Sequence, residues 1–167
     1  MSRLRRPFLT DRFFFVTCNR LSDAADFTSL EFECLSTAIY SARKQHGFLL
    51  TAYVFLPDHW HAVIFPRHPL TISKAMEVIK VKSTRSIHIR RGDAGQVWQP
   101  RFFDDALRTV EKYHSCLDYI HMNPVRRGLV NTSEDWIWSS IHSYSALGEV
   151  KLTIDRVELP TNPQARL

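Results

Sequence analysis

The chain has 167 residues, 44% of them apolar and 23% charged, enough to bury one ordinary core without disulfide or metal staples. Five glycines, eight prolines and three scattered cysteines (Cys18, Cys34, Cys116) with no C-x-x-C pair exclude a disulfide framework and a zinc-finger spacing. A net charge of +5 favours polyanionic partners, nucleic acid above all, without selecting one.

The opening "MSRLRRPFLTDR" is basic, and only the short run Phe13 to Val16 follows it, too brief for a signal-peptide core. No stretch approaches the ~20 continuous apolar residues of a membrane span. Together with the unpaired cysteines this predicts a cytoplasmic protein. One domain is expected over 1–167, with a core of about 11–148, a basic arm at 1–10 (Arg3, Arg5, Arg6) and a loose tail at 150–167 ending "LPTNPQARL".

In chain order, "FFFVTCN" (Phe13 to Asn19) reads as a bulky strand closed by the turn-like "NRLSDAAD". Helical spacing follows from Phe27 to His46, with Leu30, Cys34, Leu35, Ala38, Ile39 and Ala42 as the apolar stripe and Gly47 as C-cap. "FLLTAYVFL" (Phe48 to Leu56) is a strand apolar enough to be covered on both faces. Pro57 and Asp58 turn the chain into "HWHAVIF", antiparallel to it. A second helix begins at a cap on Thr71 or Ser73, with Ile72, Met76, Ile79 and Ser83 on one face. "QVWQPRFFDDALRT" has strand character on either side of Pro100, and the helix "VEKYHSCLDYIHMN" is expected to stop at Pro124. The order β-α-β-β-α-β predicts an α+β, ferredoxin-like antiparallel sheet with helices on one face and an additional C-terminal helix.

Three features could carry chemistry. A strand points alternate side chains to opposite faces, so His59 and His61 share a face and Trp60 takes the other. Such a pair is either a metal-binding edge or a hydrogen-bonded polar patch, and "HWHAVIFP" supplies no nearby acid or third histidine. On the last helix Tyr119 stands roughly 120° from the middle of the stripe Tyr113, Cys116, Leu117 and Ile120, and Asn123 stacks on the same flank one turn on. A surface tyrosine and a helix-end asparagine satisfying its own backbone would look the same. Finally, Lys74, Lys80, Lys82, Arg85, Arg90 and Arg91 line the second helix and its exit, and Arg126 and Arg127 follow Asn123. They are a phosphate-tracking surface or a solvated basic face. Trp98, Trp136 and Trp138 are either base-stacking platforms or core.

Read together, "LPDHWHAVIFP" and "DYIHMNPVRRGLV", with "VWQPRFFD" before the helix and "WIWSS" after it, resemble the single-tyrosine transposases of the HUH endonuclease superfamily, and in particular their REP-associated branch. The resemblance runs from about Phe13 to Ser145. It implies that Tyr119, on the additional helix, is the catalytic nucleophile and that His59 and His61 are metal ligands. Insertion-sequence members carry a glutamine four residues after the tyrosine; Asn123 stands there in this chain, in the "NPV" context of the REP-associated branch, as a ligand directly or through water. The implied activity is that of a metal-dependent single-stranded DNA endonuclease and strand transferase forming a 5′-phosphotyrosine link, with Mg²⁺ or Mn²⁺ as cofactor. The implied partner is single-stranded DNA with REP-like hairpins, bound by Lys74, Lys82, Arg85, Arg90, Arg91, Arg126 and Arg127, and a monomer is expected rather than a dimer. Two other readings remain open at this point: a non-catalytic ferredoxin-like nucleic-acid-binding module, and a phosphodiesterase using water.

Overall fold

A computed structural model describes residues 10–167; Arg3, Arg5 and Arg6 of the expected basic arm lie outside it. The elements are β1 (Phe14–Asn19), α1 (Ser29–His46), β2 (Leu49–Phe55), β3 (His59–Phe65), α2 (Ile72–Arg91), β4 (Phe103–Ala106), α3 (Val110–Arg126) and a short α4 (Ile141–Ser145). The four strands form one sheet in the order β2-β3-β1-β4, antiparallel at every pairing, which is the ferredoxin-like arrangement expected from the element order.

Local signals set the helix ends. Thr28 closes a capping box with Glu31 at the start of α1, and Gly47, at φ 72°, ends it in the left-handed region that a side chain would strain. Thr71 caps α2 by accepting from the Lys74 amide. The stripe of α1 differs in one member: Leu30 is exposed and Phe32 buried in its place. Phe32 packs its ring toward those of Phe55 and Trp138.

The alternating strand residues divide the interior into two layers. Phe14, Val16, Cys18, Tyr53, Phe55, Trp60, Ala62 and Ile64 face α1 and α2. Phe13, Ala52, Val54, Leu56 and Val63 face α3, where Tyr113, Leu117 and Ile120 pack on them. Helices therefore cover both faces of the sheet, and α3 is alone on the second. Burial on this scale is what holds the sandwich together, at about 25 cal/mol for each Å² of apolar surface removed from water. Trp98 and Trp138 are buried in the first layer, and Trp136 packs against it while donating to the Phe55 carbonyl, so the tryptophans serve the core.

Two expectations about the second half change. The helix α3 does not stop at Pro124 but runs on to Arg126. Pro124 lies in the last turn, where it removes a single backbone donor. The end is then closed by a Schellman motif, with Gly128 at φ 68°, the Leu129 amide on the Pro124 carbonyl and the Gly128 amide on that of Val125. The segment after 150 is not loose. Leu152 is buried and its amide donates to the Tyr53 hydroxyl; Asp155 receives the Leu50 amide through its carboxylate and donates its own amide to the Leu50 carbonyl. Further on, the Val110 and Glu111 amides at the start of α3 donate to the carbonyls of Ala165 and Pro163.

This closes the outer edge of β2. Residues 138–140 take the Phe55 and Tyr53 positions, Asp155 takes Leu50, and the Tyr144 hydroxyl donates to the Thr51 carbonyl at 2.6 Å. An edge strand covered at these positions is a poor template for another chain.

Candidate active site

The β2–β3 turn sets the histidines. The Leu56 amide donates to the His59 carbonyl across Pro57 and Asp58, so β3 begins at His59, in register with Asn19, while His61 lies opposite Thr17 on β1. Both imidazoles point to the α3 side, as alternation required, and both are buried. Their Nε2 atoms are 3.0 Å apart. Each remote nitrogen has its own partner: His61 Nδ1 is 2.7 Å from the Thr17 hydroxyl, and His59 Nδ1 is 2.7 Å from an Asp58 carboxylate oxygen.

Burial dominates the protonation of the pair. It pushes His61 down to about 3, with the charge of His59 working in the same direction. His59 is also lowered by burial, against the opposing hydrogen bond to Asp58. Burial of Asp58 would raise its carboxyl, but the hydrogen bonds from His59 and Arg127 outweigh it and the carboxyl ends below the usual range. Both rings are therefore neutral near pH 7 and can present lone pairs to a cation.

The helix α3 brings the third group. Tyr119 is 40% exposed, with its ring centroid 5.3 Å from that of His61 and 5.8 Å from that of Phe15. Arg127, two turns further on the same flank, reaches back to Asp58 at 3.0 Å and lies 3.2 Å from His59 Nδ1. That nitrogen cannot donate to Asp58 and accept from Arg127 at once, and the shorter carboxylate bond holds its proton, so Arg127 is tied through Asp58. Asn123 lies between Tyr119 and Arg127 along α3 and is buried, at 5% exposure. Arg126 stacks over the Tyr119 ring, its guanidinium carbon 5.6 Å from the centroid.

The remaining basic residues lie elsewhere. Lys74, Lys82, Arg85, Arg90 and Arg91 are carried by α2, across the sheet from the histidines. Lys74 pairs with Glu77, Lys82 donates to Ser41, Arg90 lies 3.7 Å from Glu33, and Arg91 is paired with Glu31 at 2.9 Å. Arg85 is beside Lys80 at a cleft formed with residues 95–98. Of the seven basic residues expected to bind DNA, only Arg126 and Arg127 stand beside the histidines and Tyr119.

Three residues of the site were not read from the sequence as functional. Phe15 stacks on His61 at 5.2 Å and touches Tyr119, so it wedges the two together. Thr17 orients His61, and Asp58, read only as a turn residue, orients His59. For Phe15 and Thr17 the available signal was alternation along "FFFVTCN", which puts them on one face.

The donor set can be tested against a divalent cation. Two ligands about 2.1 Å from one ion and at right angles about it stand about 3.0 Å apart, which is the separation of the two Nε2 atoms. The Asp58 and Thr17 bonds fix the opposite nitrogens, as outer-shell partners of metal-bound histidines do. Among the described residues no three His, Cys, Asp or Glu side chains converge on a metal position, so the two imidazoles are the donors that this geometry offers a cation. The residues fit.

A ferredoxin-like sheet with a paired-imidazole edge and a tyrosine delivered by a helix on the open face defines a class, and comparison with known proteins identifies it. The family described as "Transposase IS200 like" matches residues 9–123, and the chain belongs to that family of tyrosine transposases. Within it, the chain is 30% identical over 149 residues, 89% of its length and 87% of the relative's, to the REP-associated tyrosine transposase of Escherichia coli (strain K12). A solved structure of a REP-associated tyrosine transposase bound to a REP hairpin superposes with a TM-score of 0.77 at 27% identity, covering 100% of this chain and 99% of that one.

Proposed function

We propose that this transposase cuts and rejoins single-stranded DNA carrying REP-like hairpins, with Tyr119 as nucleophile and His59, His61 and Asn123 as the holders of a divalent cation, Mg²⁺ or Mn²⁺. The observation that carries the reading is the convergence of the Tyr119 ring on His61, 5.3 Å away, beside two ring nitrogens 3.0 Å apart. The relatives named above and the hairpin in the related structure support the substrate class.

In this mechanism the Tyr119 oxygen forms a bond to the scissile phosphorus as the bond to the leaving 3′ oxygen breaks. The hydroxyl proton passes to solvent, which the half-exposed ring meets directly, and the released strand takes a proton to end in a 3′-hydroxyl. When bound, the cation would polarise a non-bridging phosphate oxygen and fix the phosphate in line with the attack. Because His59, His61 and Asn123 are all neutral, they leave the full charge of that ion to the phosphate. Phe15 and Arg126 both pack against the phenol ring, and Arg126 adds positive charge where the phosphate gathers negative charge. Attack of another 3′-hydroxyl on the phosphotyrosine reverses the step and joins strands without ATP. A monomer fits a site whose groups all come from one chain. A cytoplasmic setting fits three free cysteines, and no helix of the described residues is long and apolar enough to cross a membrane.

The test is a single-stranded hairpin oligonucleotide incubated with Mn²⁺ and resolved under denaturing conditions. The protein yields a covalent adduct, EDTA prevents it, and Tyr119→Phe yields none while still shifting the hairpin. An adduct from Tyr119→Phe overturns the assignment.

A further inference from the structure

A groove of about 480 Å³ opens beside Tyr119 between β4 and α3. Phe15 and Phe103 from the sheet and Tyr119 from the helix form its apolar walls, while Asp105, Lys112 and Ser115 stand at its polar end. Phe103 is 57% exposed, on the strand at the end of the sheet order, and its ring lies 6.3 Å from Phe15 at a steep angle. A large aromatic left this open beside a reaction centre has no part in either interior layer.

The chemistry of the walls chooses the occupant. A phosphate is disfavoured, because Asp105 presents a carboxylate and Lys112, 3.5 Å from it, is already matched. Arg126, for which no ion pair occurs among the described residues, lies over the Tyr119 ring and is seven residues further along α3 than Tyr119, whereas Lys112 is seven residues back. The phosphate therefore belongs toward Arg126 and the histidines. The slot toward Lys112 accepts a flat, apolar-faced group with hydrogen-bonding edges.

We infer that this groove holds the base of a nucleotide adjoining the scissile phosphate, stacked on Phe103, with Asp105 and Ser115 at its polar edge. The inference rests on Tyr119 being the nucleophile. Phe103 then fixes the strand so that the phosphorus stands over the Tyr119 oxygen, which makes it a positioning residue for strand cleavage. Base–aromatic stacking of this kind corresponds to about ten- to a hundredfold in occupancy.

The experiment uses the full chain with Mn²⁺ and a set of hairpin oligonucleotides carrying a single abasic site at each position on either side of the cleavage point. One abasic position is expected to slow adduct formation by about ten- to a hundredfold. Phe103→Ala slows the intact oligonucleotide by a similar factor and is indifferent to that abasic site, Phe103→Trp restores the rate, and the affinity of both for a hairpin lacking the nucleotides around the cleavage point is that of the unaltered protein. A flat abasic scan with the unaltered protein overturns the inference, as does a Phe103→Ala protein that keeps both the normal rate and the abasic response. The scan needs no variant, so it decides even where Phe103→Ala unfolds. If the unaltered protein forms no adduct with any oligonucleotide, the Tyr119 assignment fails and this inference with it, an outcome distinct from a normal adduct with a flat scan.

Discussion

Asp58 and His59 are neighbours in sequence, yet the turn folds the carboxylate back to 2.7 Å from the Nδ1 of the imidazole. The tip of the β2–β3 hairpin thus carries its own orienting group, and Arg127 at 3.0 Å keeps that carboxylate from swinging away. Asp58→Ala should leave the fold intact and weaken Mn²⁺ binding by about ten- to a hundredfold, measured by calorimetry. Thr17→Val should act in the same direction through His61.

Removing a proposed ligand goes further than loosening one. His61→Ala leaves a buried space beside Phe15 and deletes one of the two imidazoles. Adduct formation should fall at least about a hundredfold, while a hairpin shift in EDTA is retained. Loss of the shift itself would mean that the histidines serve folding.

His121 gives a pH-dependent stability. It is buried, hydrogen-bonded to the Ser140 hydroxyl at 2.9 Å, and burial pushes it down to about 4. The folded state therefore binds its proton less readily than the unfolded chain. Its stabilising share is present above about pH 6.5 and is lost as the pH falls toward 4. At pH 5 the loss amounts to about 2 kcal/mol, by linkage over the interval between the two values. Urea unfolding at pH 7 and pH 5 should show it, and His121→Gln, which keeps a donor without a titrating ring, should shrink the difference. The depressed values of His59 and His61 act with the same sign.

Much of this was legible before any coordinates. Gly47, and Thr71 or Ser73, announce helix ends through backbone chemistry confined to a few residues, and strict alternation fixed the shared face of His59 and His61. Tyr119 was marked by standing off the apolar stripe. Phe15 and Thr17 were not, because their meaning comes from the β1–β3 register, and Thr17 meets His61 across 44 residues. The tail misled for a related reason. It is held by Asp155 and by backbone groups, which leave no periodic pattern in "LPTNPQARL" or the residues before it.

The tail gives a stability test of its own. Asp155→Ala removes the acceptor of the Leu50 amide and the partner of Arg43. An unfolding free energy lower by about 1–3 kcal/mol is expected, together with more self-association as the β2 edge opens, read by urea titration and light scattering.

Mixing two inactive proteins, Tyr119→Phe and His59→Ala, should restore no adduct, because the phenol and the imidazoles of one copy face each other. Recovered activity would mean that copies exchange helices.

Both ends of α3 are moored to the rest of the chain, by Ala165 and Pro163 at the first turn and by Arg127 to Asp58 after the last. These moorings favour one position for Tyr119 relative to the sheet. In the reading proposed here the captured 5′ end waits where it was severed, and the choreography of exchange falls to the nucleic acid, which must bring the incoming 3′ end to it.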